Sequence, residues 1–515
     1  MAVEDESGSK GFEPHSSQLI DADGTVLLVP IPTTDPADPL NWPNWQRWIV
    51  LACLAVWAAT CLAVQSFLSN ILPGVETDFA NASASQINLL VTIITAICAP
   101  SSLIFVPLVV TYGRRFALLV SNIILFASVI WAAVATSYSS FLGSRILQAV
   151  GTAPSDAIVY IILQDITFTH ERGKIMGIVL NVGYAVFYLL STVVPYMSTS
   201  PSYKGPYWLF TGLTALCMLG FFFFLPEVRF DRSVHAENDT HVPITAAQHQ
   251  ELKKRLASQN KSSLSGLTFW SGRSNGPEGD FFLIYKRMAR LLRNPAIWWN
   301  GLMNAIITGG MVAYTTYFAN LLFAPPWSWK SENIGLINLA GVPVAAVNWV
   351  LFGWLNDRIL IALAKRNNGL SVPEHRLIML VVPVAIAFAA YIGFGALAQH
   401  YFGAASGAWQ PNWFVLVVLQ FLILMAFSGT LEVTYTYMIS TTDPTDSLAA
   451  ATVVSILRGD VSFGMSHGST AFVMRCGYLT TFSVYAMLTA VFGAMGVVEK
   501  LFLASHIAYG KVLDN

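Results

Sequence analysis

The sequence predicts an all-α integral membrane protein of twelve transmembrane helices arranged as two six-helix bundles. Three observations predict it. Of 515 residues, 55% are hydrophobic and only 11% charged, against about 25% charged in an ordinary soluble domain. Runs of about 20 mostly apolar residues, the length a helix needs to cross a bilayer, recur along the chain. A long polar interval then splits those runs into six and six. The formal net charge of −1 gives no electrostatic footprint for a nucleic-acid partner.

Residues 1–46 are polar and proline-bearing, and read as a cytoplasmic tail. No short apolar run precedes a cleavage site, so the first membrane helix is expected to act as an uncleaved insertion signal. The first bundle, 47–226, holds apolar runs at 48–70, 87–110, 116–136, 141–163, 175–196 and 207–226. The interval 227–296 follows as a cytoplasmic linker. Its "ITAAQHQELKKRL" suits a short surface helix, and its "SGRSNGPEGD" reads as flexible chain. The second bundle, 297–498, holds runs at 297–322, 333–355, 376–398, 413–438, 447–472 and 478–498, with Glu432, Arg458 and Asp460 interrupting the pattern. Residues 499–515 form a short cytoplasmic tail.

Orientation follows from the basic residues of short loops. Arg114, Arg115, Arg172, Lys174, Arg358, Lys365, Arg366 and Arg376 fall on one side, and Lys204, Lys330 and Arg475 on the other. The first side is expected to be cytoplasmic, with both termini. Of the sequons at Asn81, Asn238 and Asn260, that topology exposes only Asn81 outside, so Asn81 is the candidate glycan site. The five cysteines, Cys53, Cys61, Cys98, Cys217 and Cys476, lack metal-type spacing and read as small packing residues.

The halves share sequence as well as helix count. "VPLVVTYGRR" (106–115) and "GWLNDRI" (353–359) occupy equivalent loops and look like two damaged copies of one motif. Paired repeats around a midplane site are the architecture of secondary transporters. On these residues the chain resembles the major facilitator superfamily, whose loop signature is Gly-x-x-x-Asp-(Arg/Lys)-x-Gly-Arg-(Arg/Lys). Gly113, Arg114 and Arg115 match its end, with Val106 and Val110 in the glycine and aspartate places. Gly353, Asp357 and Arg358 match its start. Arg145, Gln148 and Gly151 meet the fourth-helix pattern Arg-x-x-Gln-Gly-x-Gly, with Ala149 where glycine is usual. "DPLNWP" (38–43), "HERGKIMG" (170–177) and "LPEVRF" (225–230) further resemble fungal drug:proton antiporter-like members, including polyamine and cation carriers. The Gly-Pro-x-x-Gly-Gly element of such antiporters is missing from the fifth helix. That region reads "GIVLNVGYAVFYLLSTVVPY", which leaves the direction of transport open.

Ionisable residues inside membrane helices are rare and functional by default. In "RILQAVGTAPSDAIVY", Arg145 and Asp156 are eleven positions apart, about 16 Å along a helix. They share a face but are too distant to pair. Asp156 is a candidate for binding a proton or a cationic substrate, the alternative being a hydrogen bond between helices. The resemblance assigns Arg145 to proton coupling, the alternative being a packing arginine bonded to carbonyls. By the same resemblance Asp165 would latch onto Arg114 or Arg115 at an inner gate flanked by Gly113, Asp357 and Arg358. The alternative is an ordinary interfacial charge.

Arg458, Asp460 and Glu432 are further cavity or gate candidates, with His467 weaker. Asn70, Gln65, Tyr314, Tyr317, Asn320, Asn348 and Tyr435 could supply neutral contacts, although tyrosines more often pack or anchor. No phosphate loop, metal cluster or nucleophile elbow appears, so no cofactor and no enzymatic reaction are expected. The expected function is secondary active transport of a small organic molecule, such as a toxic compound, secondary metabolite or organic cation. The expected mode is proton-coupled efflux by alternating access, as a monomer in the plasma membrane. Proton-coupled uptake is the alternative, a non-transporting sensor a further one, and the vacuolar membrane the other location.

Overall fold

The computed structural model describes residues 32–33, 38–71, 75, 78–79, 81–168, 171–198, 203–228, 281–323, 327–330, 333, 335–366, 373–403, 412–442 and 446–513. Outside these lie most of the expected N-terminal tail and linker, including "ITAAQHQELKKRL", "SGRSNGPEGD", Asn238 and Asn260. The side chains of Asp156, Asn320 and Asp357 also lie outside the described set.

All regular structure among the described residues is helical. The first half comprises α1 (Asn44–Ser66), α2 (Ala84–Tyr112), α3 (Arg114–Val134), α4 (Tyr138–Thr152), α5 (Ser155–Asp165), α6 (Arg172–Met197) and α7 (Lys204–Phe224). After a short helix, α8 (Phe281–Leu291), the second half comprises α9 (Pro295–Phe323), α10 (Gly341–Asn348), α11 (Asn356–Arg366), α12 (Val381–Gly403), α13 (Phe414–Thr441) and α14 (Ser447–Leu513). A 3-10 turn (Gly335–Ala340) leads into α10, and a π-helical stretch (Trp349–Leu355) joins α10 to α11. Gly477 takes φ 81° within α14, which therefore holds two helices meeting at a kink.

Among the described residues, ten helical stretches are long and apolar enough to cross a membrane, against the twelve expected over the whole chain. The expected runs at 297–322 and 447–472 are helical but are not among the ten. Both runs are interrupted by positions whose side chains lie outside the described set, 319–320 in the first and 448 and 470 in the second. Asn300 donates to the Thr434 carbonyl (2.8 Å), Asn304 to Asn300 Oδ1 (2.6 Å), and the Thr434 hydroxyl to Asn304 Oδ1 (3.1 Å). These amides are buried and bonded to α13, so they lower hydropathy without facing lipid. Residues 447–476 likewise carry Arg458, Asp460 and His467.

The fourth expected run is two helices. Pro154 cannot donate its main-chain nitrogen, and the break between α4 and α5 is repaired by side chains. Ser155 donates to the Thr152 carbonyl (2.8 Å) and Ser102 of α2 to that of Ala153 (3.3 Å). Close packing at Gly151 brings its Cα against the backbone of Leu125, with Ser121 donating to the Gly151 carbonyl (2.7 Å).

Within the first half α1 packs on α6 and α7, α3 on α4 and α7, and α2 on α4. Within the second, α9 and α12 pack on α14 and on α13. Two seams join the halves: α6 against the segment 335–355, and α2 with α5 against α14. One buried cluster runs from the first half into Leu431, Tyr435, Met438 and Ala449 to Ala451. The halves are thus packed together at the end carrying Arg114, Asp165 and Arg376, called here the basic end. Exposed Asn81 precedes α2 at the opposite end.

Candidate functional site

At the basic end, α2 and α3 are separated by the single residue Gly113, whose φ of 101° favours glycine. The carboxylate of Glu227 lies over it. Its Oε1 accepts the Arg114 main-chain N–H (2.9 Å) and its Oε2 that of Arg115 (3.3 Å). A carboxylate thus caps the first turn of α3, where the helix dipole favours negative charge. The side chains above continue the arrangement. Arg114 Nε donates to Asp165 Oδ2 (3.1 Å), and buried Arg115 donates Nη2 to the Phe222 carbonyl (2.9 Å) at the end of α7. The structure therefore brings together Gly113, Arg114, Arg115 and Asp165, with Glu227 as a fifth member. Nearby, Arg47 pairs with Glu171 (2.9 Å), tying α1 to the start of α6.

"DPLNWP" forms its own small device at this end. Buried Asp38 accepts from the main-chain N–H groups of Leu40 (3.1 Å) and Thr33 (3.0 Å), and Leu40 packs on Phe168. The motif thereby anchors the entry of α1 beneath the α5–α6 connection.

Between the halves is a cavity of about 60 Å3, room for a few water molecules. The first half contributes Ala58 and Leu62 of α1, Ser155, Val159 and Tyr160 of α5, and Gly183 and Tyr184 of α6. The second half contributes Phe427 and Leu431 of α13 and Arg458 of α14. Position 156 lies in the first turn of α5, one turn before Tyr160. The ring of Tyr160 stacks on Tyr435 of α13 (4.7 Å between centroids, 5° between planes), and the Tyr435 hydroxyl bonds Ser455 (3.0 Å). Tyr160 also lines a second, smaller cavity with Asn356, Arg376, Glu432 and Thr436, so with Leu180 it borders both.

Glu432 lies where α6 meets the second half. It is buried, and its Oε2 accepts from Asn181 Nδ2 of α6 (3.3 Å). A Cβ placed on Gly177 would stand 2.9 Å from Glu432 Oε1 and 3.4 Å from the Cα of Gly353. Only residues without side chains let α6, the π-helical stretch and the carboxylate meet there. The neighbouring Asn348 bonds the Ser428 hydroxyl, holding that stretch to α13.

Arg145 is fully buried outside the cavity wall. It donates to the carbonyls of Leu90 (3.1 Å), Val64 (3.0 Å) and Gln65 (3.5 Å) and to Gln148 Oε1 (2.9 Å), with its guanidinium over Phe67. Val64 and Gln65 lie where α1 tightens into the 3-10 turn Phe67–Ile71. The carbonyls released by that change are the ones Arg145 takes up. Asn70, on this turn, is half-buried.

The remaining candidates are dispersed. Tyr314 is packed in the second-half core, stacked on Phe318 and edge-on to Phe394. Asp460 is exposed, two positions from Arg458 and on another face of α14; His467 stacks on Phe463. Arg358 lies over the ring of Trp354 (3.9 Å). The cysteines are free thiols, and no cluster able to hold a metal occurs among the described residues. Asn181 and Tyr160 have no local motif that singles them out as site residues, and Glu227 stands in "LPEVRF", read only as a mark of the resemblance. Their significance comes from partners 251 residues away for Asn181 and 113 for Glu227.

Comparison with known proteins agrees with this geometry. The family model "Major Facilitator Superfamily" matches residues 51–459. An uncharacterised MFS-type transporter of Schizosaccharomyces pombe is 22% identical, covering 78% of this chain and 75% of its own. The efflux pump vrtL of Penicillium aethiopicum is 20% identical over 89% of this chain and 86% of its own. Among solved structures, that of the proton:xylose symporter XylE superposes with a TM-score of 0.59 at 13% identity, covering 88% of this chain and 95% of that one.

Proposed function

Because this chain belongs to the Major Facilitator Superfamily, we propose that it is a drug:proton antiporter-type carrier exporting a small organic molecule by alternating access. The coarser part of this reading, a secondary transporter in a membrane, is what the family establishes. The observation that carries the finer part is the cavity between the halves. Its wall combines Arg458 with Tyr160, Tyr184 and Phe427, charge and aromatic surface that would face an organic molecule with a polar group once the halves part to widen this small space. The Penicillium relative's designation as an efflux pump supports export.

In this reading Asp156 takes the proton or a cationic substrate group. Arg145 provides a fixed positive charge on the same span, which lowers the proton affinity of an acid in its field. Asp165 with Arg114 and Arg115 is the inner latch at Gly113, and Asp357 with Arg358 its counterpart in the second half. Glu432 is a second acid at the gate, while Asn70 and Asp460 face the substrate's path rather than its bound position. Tyr314 supports the second-half core. The basic end faces the cytoplasm, Asn81 carries a glycan outside, and the protein works as a monomer in the plasma membrane.

The deciding experiment uses proteoliposomes and a panel of labelled organic cations, anions and neutral metabolites. Antiport requires that an acidic lumen drives accumulation of one of these compounds. Accumulation driven only by acid outside would establish uptake by symport and reject export. The same panel in thermal-shift form should show that Asp156→Asn loses stabilisation by the transported class. Stabilisation unchanged for every class would remove Asp156 from the site.

A further inference from the structure

Helix α8 (Phe281–Leu291) buries one apolar face. Ile284 and Met288 are buried in the core at the basic end, and the Tyr285 hydroxyl donates to the Leu103 carbonyl of α2 (3.2 Å). Arg287 pairs with Asp446 at the entry to α14 (3.7 Å). The helix therefore lies across the basic end and touches both halves.

Its outer surface carries two adjacent stripes. Lys286, Arg290 and Arg293 are exposed at i, i+4 and i+7, so they line one side. Phe282, 84% exposed, stands at i−4 to Lys286 at the head of that side, and Tyr285 and Leu292 are open on the side next to it. Residues 281–296 include no carboxylate to neutralise the three cations. Three residues later the chain enters α9, where exposed Trp298 donates its indole N–H back to the Leu292 carbonyl (2.6 Å). An amphipathic tryptophan at the head of a spanning helix marks the level of the membrane–water boundary. So α8 lies in that boundary, not above it.

We propose that α8 is a recognition surface for anionic phospholipid headgroups. Lys286, Arg290 and Arg293 would take the phosphate and carboxylate oxygens, and Phe282 and Leu292 would enter the acyl boundary. A soluble phosphate would account for the cations but not for the apolar stripe beside them; a bilayer accounts for both. The proposal is independent of what the carrier moves and in which direction.

The test is amide exchange of the full-length chain in phosphatidylcholine nanodiscs, with and without phosphatidylserine at roughly one lipid in three. With phosphatidylserine, exchange across 281–293 slows at least about ten-fold, and exchange in α3 does not change. The triple variant K286Q/R290Q/R293Q loses that slowing, and Arg290→Gln alone loses part of it. All three positions are exposed, and unchanged exchange in α3 reports an intact fold. No slowing in the wild type, or full slowing in the triple variant, overturns the proposal. Equal slowing by inorganic phosphate in pure phosphatidylcholine discs overturns it too, by showing a free-anion site.

Discussion

The pattern around Arg145 allowed either proton coupling or a packing arginine bonded to carbonyls. Its bonds place it as the clamp of three helices, holding α1 through Val64 and Gln65, α2 through Leu90, and α4 through its own backbone. Removing it leaves three carbonyls and Gln148 without donors, each worth about 1 kcal/mol. Arg145→Ala is therefore expected to cost about 2–4 kcal/mol, seen as a lowered melting temperature in detergent even without substrate. A variant that keeps its melting temperature but loses proton-driven transport would instead give Arg145 a role in coupling alone. Its pattern with Gln148 and Gly151 was legible in the sequence, whereas the carbonyls it binds lie 55 to 81 residues away. Those of Val64 and Gln65 lie where α1 tightens at Phe67, and that of Leu90 is brought in by α2.

At the scale of elements, one construction appears twice. A positive-φ glycine precedes a helix start, and an oxygen from a distant helix end covers it. Glu227, just beyond α7, covers Gly113, and Gln399 of α12 covers Gly477, accepting from the main-chain N–H groups of Tyr478 (2.9 Å) and Leu479 (3.5 Å). The two sit at opposite ends of the molecule. Each cap satisfies orphan helix donors, a contribution of about 0.5–2 kcal/mol. Gly113→Ala and Gly477→Ala add a left-handed conformation costing about 1–2 kcal/mol to a collision, since the new Cβ would lie 2.3 Å from Glu227 Oε2 and 2.7 Å from Gln399 Oε1. Both variants should unfold at lower temperature than wild type, and Glu227→Gln should fall less than Glu227→Ala. Equal melting temperatures for wild type and Glu227→Ala would show that the cap contributes nothing to stability.

For the whole molecule, the two halves meet at the basic end through the Tyr160–Tyr435 stack, through Ser447 donating to Gln164 Oε1 (3.2 Å) and through Glu432 with Asn181. Alternating access requires this end to open in each cycle, because a ligand can shift only a population that exists. Cysteines introduced at 164 and 447, joined by a short cleavable thiol cross-linker, should stop turnover, and reduction should restore it. Undiminished turnover in the cross-linked protein would mean that this end does not open. The contact energies permit movement. An aromatic pair adds about 0.5–1.5 kcal/mol beyond its buried area, a small barrier to separation.

Membrane class and the gathering of basic residues in short loops were determined by the sequence alone. Hydropathy and charge are properties of local stretches, and the bilayer reads them one stretch at a time. The amides of α9 look costly in one dimension and are satisfied in three, by Thr434 on α13. Tertiary structure alone decided which charges are committed and which face the cavity. Arg145 and Arg458 are both arginines in apolar helices; one is spent on carbonyls and the other lines the space between the halves. That distinction depends on which backbones come within hydrogen-bond reach, and folding sets those distances between residues far apart in the chain.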